Sequence, residues 1–444
     1  MRRSEPKSTC SLAAALLLIS LLTLSGCRPE SPPPTPRATA TITTTPTRTP
    51  RPSPTITPTP SATPTPTLPP YPAVITPDNL AQLSPLYRFN SLGFYLPGSD
   101  WLVLYDNQQT AVWDLRSGSV VSTFIGRYKA IAGDYALTGT GEDLLLWRVS
   151  TGEQLHDFSA ENGQFHPAQP WLVVYGGEEA HALLWDCQHD RLLGQVYQSP
   201  GDAFVFSPDG HRLAASGGTE LGTRVWSLPD LALTNRLNPS LSTEGGSTRV
   251  AFSADGRYLF LSGGREHRVY DLEAGEIVWS DSHAWAVYPG PAAEYALVTR
   301  YATTHILDLE RAEFLDDYLL GDTPTVFLEL DLISNHDAAE AGYREYIYRA
   351  SGFSQLATLT LRQGIASSGS FHPGGGLFAI PDLDGALHFF DTETWEPRSA
   401  LAGMEGFYIV RPEFSREGHW LMFGWYTYDE FGDYYNGFDV WGIP

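Results

Sequence analysis

The sequence predicts an all-β fold, a closed β-propeller of four-stranded blades, on three observations. Apolar residues recur at period two between clusters of Gly, Pro, Asp and Ser, the pattern of short strands divided by tight turns. An anchor residue, usually aromatic, returns at intervals of 34 to 51 residues, which brackets the blade period of a propeller. A strand-like segment, Pro85 to Phe89, stands ahead of the first repeat, whereas the last anchor, Trp441, is followed by three residues. Each end therefore lacks what the other supplies, and joining them leaves no long edge open.

The chain has 444 residues, 42% of them hydrophobic, with 12 Trp, 22 Tyr and 21 Phe. Such an aromatic supply suits strands better than helices. The balance of 28 basic against 51 acidic residues gives a net charge of -23, and only Lys7 and Lys129 are lysines. That charge opposes nucleic-acid binding. Cys10, Cys27 and Cys187 cannot frame a disulfide-dependent domain.

Arg2, Arg3 and Lys7 precede an apolar run from Leu12 to Leu24, the charge order of an export signal and too short for a stable span. The run ends in Leu24-Ser25-Gly26-Cys27, which resembles the lipobox of bacterial prolipoproteins. The resemblance implies a signal peptide over 1–26, lipid attachment at Cys27 and an exported chain anchored to the cell membrane or outer membrane. Two acyl chains would hold it stably where one is marginal.

Residues 28 to 72 contain 16 Pro and 14 Thr among 45 positions. Pro removes amide donors and fixes φ, so 27–72 is expected to stay disordered and extended, with a reach on the order of 140 Å.

The propeller is expected over 73–444. Its clearest unit runs from Asp202 to Leu237, where Ser207-Pro208-Asp209-Gly210 turns the chain after the first strand and Val225-Trp226-Ser227-Leu228 forms the third. Equivalent anchors are Trp113-Asp114, Trp147, Trp185-Asp186, Trp226, Tyr270-Asp271, Leu307-Asp308, Tyr348, Phe390-Asp391 and Trp441. They count nine blades; the irregular unit from Asp322 to Leu359 leaves eight open.

The Trp-Asp endings resemble those of the WD40 repeat family, over about 360 residues. The family's Gly-His dipeptide is absent here, so apolar packing is expected to carry more of the contact between blades. The resemblance also implies that fourth-to-first and second-to-third connections share one face.

The longest such connections are read as Asn238 to Ser247, Ser334 to Tyr343 and Thr427 to Gly437. They bring Glu244, Asp337, Glu340, Asp429, Glu430 and Asp433 to that face, with Tyr428, Phe431, Tyr434 and Tyr435. Aromatic rings among carboxylates can stack on sugars or take basic partners, so this face is the expected protein- or glycan-binding surface.

Asp382-Leu383-Asp384-Gly385 lacks the later ligands of a calcium loop and reads as a turn. His166 and His372 occupy first-turn positions and read as turn residues, and Cys187 reads as a part-buried structural thiol. No spacing suggests zinc, a nucleophile elbow or a phosphate loop. The expectation is thus a binding platform with no catalytic residue, metal or cofactor. Two rivals stay open: an enzyme working in the central channel, resembling quinone-dependent or lactone-cleaving propellers, and an envelope-assembly scaffold.

Overall fold

The computed structural model describes residues 71–444 apart from 142, 178–180, 198–202, 217–221, 238–248, 264–265, 302, 322, 338–343, 362–366, 402–406 and 429–433. Its strands form nine four-stranded antiparallel sheets. Numbered along the chain, blades 1 to 9 begin with the strands Leu92–Tyr95, Arg127–Ala132, Asn162–Phe165, Phe204–Phe206, Arg249–Phe252, Ala286–Pro289, Thr323–Phe327, Ser370–Phe371 and Phe407–Phe414. These nine strands are innermost and line the central channel. The unit around Asp322 to Leu359 is a full blade 7, which settles the count at nine.

Closure follows from where the apolar residues go. Nine buried clusters occupy nine seams, one between each pair of neighbouring blades. The seam from blade 9 back to blade 1 holds Trp420, Met422 and Val440 against Tyr95, Leu102 and Leu115. Each fully buried Leu, Val or Phe contributes about 1.5–3 kcal/mol, and no blade can bury both faces alone. The ends meet as expected: Ser84–Phe89 is the fourth strand of blade 9 and pairs with Tyr434–Gly442 from Ser84↔Gly442 to Phe89↔Phe438.

All nine anchors lie on third strands. Where the following residue is Asp, its carboxylate caps the next turn. Asp114, Asp186, Asp271, Asp308 and Asp391 each accept two backbone N–H bonds from two and three residues ahead, at 2.8–3.2 Å. Local side-chain bonds of this kind stop the strand and start the turn.

Polar ties between blades persist at a different place from the family's His. The His166 Nε2–H donates to Gly210 O at 2.8 Å on the next blade, while Nδ1 accepts from Ala168 N and Gln169 N. Burial holds this imidazole below its usual pKa, which suits the neutral ring that these bonds require. Gly210 has φ 72°, and a Cβ there would collide with the His166 ring. Arg212 reaches Gly256 O at 2.8 Å in the same way. Both histidines are turn residues, as expected, and also inter-blade ties: His372 meets Gly418 O at 3.4 Å.

One expected loop is corrected. Thr427 to Gly437 is mostly not loop: second and third strands of blade 9 run Trp420–Tyr428 and Tyr434–Gly442, nine residues each, paired up to Tyr428↔Tyr434. Aromatic and β-branched residues favour extended pairing, and Tyr426 stacks on Tyr408 at 4.9 Å. The segment read as Ser334 to Tyr343 likewise begins as strand, Leu332–Asp337. Asp382 is a turn cap, accepting from Asp384 N and Ala386 N and bonding His388 Nε2 at 2.7 Å. Cys187 is fully rather than partly buried, and burial pushes its thiol up to about 12.

Candidate functional site

The two faces of the disc differ. First-to-second and third-to-fourth connections are short hydrogen-bonded turns; this is the turn face. The other connections, between second and third strands and between blades, make the loop face.

The chain enters on the turn face. Tyr71 stacks against His419 and Trp420 at 4.9 and 5.2 Å, its hydroxyl donates to Asp100, and the Arg116 guanidinium lies 4.8 Å over its ring. All four partners belong to turns of that face or lie beside them. The segment then crosses to the seam of blades 8 and 9, with Ala73 N bonded to Ile443 O, Ile75 N to Gly418 O, and Ile75, Leu80 and Leu83 buried.

Of the residues expected on the binding face, Asp337 ends a second strand, Tyr428 ends another, and Tyr434 and Tyr435 begin a third. Their positions in the topology put these backbones at the loop face. Glu244, Glu340, Asp429, Glu430, Phe431 and Asp433 lie outside the described residues, as do 1–70 with Cys27.

Sequence reading named the central channel as the place of a rival enzyme but did not locate the cations on its strands. The nine innermost strands carry four basic residues, Arg127, Lys129, Arg249 and Arg411, against one acidic residue, Glu413. The nine outermost strands carry seven acidic residues against four basic. A chain of net charge -23 therefore lines its channel with the opposite sign.

Two of these cations are aimed by bulges. Pairing passes from Tyr128↔Thr138 to Ala130↔Leu137, leaving Lys129 as the extra residue. It passes from Val410↔Gly424 to Glu413↔Met422 around Arg411 and Pro412, where Arg411 has φ 50° and Pro412 has no N–H to pair. A bulge redirects a side chain that a regular strand would bury in a seam. Lys129 Nζ donates to Glu161 O at 2.7 Å. Arg127, Arg249 and Arg411 are exposed and form no ion pair among the described residues, unlike Arg88, Arg257 or Arg398.

Two cavities open where Arg249 and Arg411 stand. One of about 690 Å³ has Arg249, Gln164, Ser262 and His267 among its polar residues and Phe204, Phe260 and Tyr288 among its aromatic ones. Trp285 stands at its rim 57% exposed, with Tyr301, 73% exposed, at 5.8 Å. His267 is buried with Nδ1 unpartnered, and burial holds its imidazole below the usual pKa. The second cavity, about 550 Å³, is lined by Phe94, Tyr105, Ser367, Arg411, Glu413 and Phe438. Burial lifts the Glu413 carboxyl to about 7, against a backbone hydrogen bond from Tyr95. Both volumes suit a small ligand.

No family model and no curated protein matches this chain. Solved structures do. A eukaryotic initiation factor matches over 72% of this chain and 90% of its own, at 13% identity and a TM-score of 0.56. The C-terminal WD40 domain of Sif2 matches over 82% and 98%, at 13% identity and a TM-score of 0.49. BamB from Moraxella catarrhalis matches over 81% and 97%, at 11% identity and a TM-score of 0.44. At such identities the likeness concerns the fold alone. The protein is a nine-bladed β-propeller.

Proposed function

We propose that this propeller is a protein- or glycan-binding platform, exported and held at a bacterial cell envelope by lipid on Cys27. The observation that carries the reading is the position of Tyr71. The segment that follows the Pro/Thr-rich stretch reaches the disc on the turn face, while both channel cavities and the exposed Trp285 and Tyr301 open toward the loop face. An anchor at Cys27 would then leave the loop face free to meet a partner. A WD40-like propeller suits this role because a rigid ring presents loops from many blades on one surface.

The mechanism is presentation rather than turnover: lipid retains, tether extends, and aromatic and charged groups of the loop face capture. Full-length chain should retain one stoichiometric partner from envelope extract, and Trp285→Ser with Tyr301→Ser and Tyr428→Ser should lose it. Unchanged capture by that triple variant contradicts the reading of the face. Cys27→Ser should move the protein from the membrane fraction to the soluble one; retention in the membrane fraction contradicts the anchor.

A further inference from the structure

We propose that the central channel is a binding site for an acidic saccharide, with Arg249 and Arg411 holding carboxylates and the rim aromatics stacking on sugar rings. The proposal goes beyond the platform reading, because it concerns a small ligand inside the ring rather than a macromolecule on its loops.

Three observations converge. First, the cations sit on blades 2, 5 and 9, spread round the ring, and reach the channel only because the ring closes. Arg249 and Arg411 stand exposed at two separate cavities and form no ion pair among the described residues, so each guanidinium is open to an external anion. Second, Arg411 is presented through a left-handed backbone position and a bulge. A conformation of that kind costs on the order of 1–3 kcal/mol and clusters at ligand sites. Third, each cavity couples cations to aromatic faces: Trp285 and Tyr288 with Arg249, Phe94 and Tyr105 with Arg411.

That combination selects among anions. A guanidinium grips a planar carboxylate with two parallel bonds. Exposed Trp and Tyr rings offer apolar faces to the C–H side of a pyranose, while Gln164 and Ser262 supply donors and acceptors for hydroxyls. An acidic peptide would bring backbone amides that each need a partner inside the channel. A nucleic acid would bring phosphate after phosphate toward a chain of net charge -23.

The test is calorimetric titration of the full-length chain in detergent with an α-1,4-linked trimer of galacturonic acid and with its methyl ester. The acid trimer should bind, with affinity falling as salt is raised, and the uncharged ester should bind at least about tenfold more weakly. Arg249→Gln and Arg411→Gln should each weaken the acid trimer about tenfold, at an unchanged melting temperature. Arg249→Lys, which keeps the charge and loses the fork, should fall between. The proposal is overturned by absence of binding up to millimolar trimer, by equal affinity for the ester, or by an unaffected double variant. Tighter binding of hexaglutamate or of a short oligothymidylate overturns it equally, because the channel would then serve a different anion. None of these outcomes depends on partner capture or on the lipid.

Discussion

Glu345 is a carboxyl with no counter-ion among the described residues. It lies on the third strand of blade 7, fully buried; Ser334 Oγ donates to one oxygen and the other has no partner. Burial lifts its pKa from 4.5 to about 8. Between those two values the folded chain holds a proton that the unfolded chain has released. Stability is therefore full below about pH 4.5 and is lost progressively as pH rises to about 8. The loss from this one group is up to about 4 kcal/mol, with Glu413 adding a smaller decline in the same direction. Glu345→Gln should flatten the fall in melting temperature between pH 5 and 8, and calorimetric scans across that range would show it. Slopes identical to the parent chain would mean that Glu345 is charged in the fold, contrary to its surroundings. The buried histidines slope the other way: His166, His267 and His372 are held below 6.5 by burial, so their contribution is lost as pH falls.

Among the elements, the fourth strand of blade 9 carries the most consequence per residue, because it joins the two ends of the chain. Arg88 within it makes two bonds to Asp439, at 2.9 and 2.6 Å, and Asp439 is fully buried, with Trp425 Nε1 as its other donor at 2.9 Å. Removing the guanidinium leaves a buried carboxylate half-satisfied. Arg88→Ala should cost roughly 3 kcal/mol in urea unfolding, whereas Arg116→Ala, at the exposed turn over Tyr71, should cost less than about 1. Equal losses would mean that the closing strand is no more important than any surface contact.

Strand Ser84–Phe89 and the anchors were legible because their signals are local: alternation, turn residues and an Asp after the anchor that caps its own turn. Blade 7 was harder to count because Tyr348-Arg349 has neither the Trp nor the Asp of the repeat ending. There Asp331, twenty residues earlier, caps Ser351 instead. The aromatic run at 427–437 was read as a loop because tyrosines beside glycines and aspartates mimic one, yet cross-strand pairing extends almost to its middle. The channel cations left no local trace. Arg127, Arg249 and Arg411 are more than a hundred residues apart, and only closure of nine blades brings them to one axis.

At the scale of the molecule, charge and attachment are both polarised. Basic side chains line the inside of an acidic ring, and its low-dielectric walls focus their field along the channel. Tyr71 is fastened at the turn face and Ile75, Leu80 and Leu83 in the seam of blades 8 and 9, whereas both channel cavities open toward the loop face. These two asymmetries give the disc a defined front and back.

The most direct measurement is side-selective blocking of that front and back. A single cysteine is placed at Tyr301 on the loop face or at Ser117 on the turn face, both exposed, and a bulky polymer is attached through it. The native Cys187 thiol is buried and does not compete, and Cys10 and Cys27 are replaced by Ser. Polymer at position 301 should abolish capture of the envelope partner, and polymer at position 117 should leave it intact. Capture that survives at 301 and fails at 117 would contradict the account.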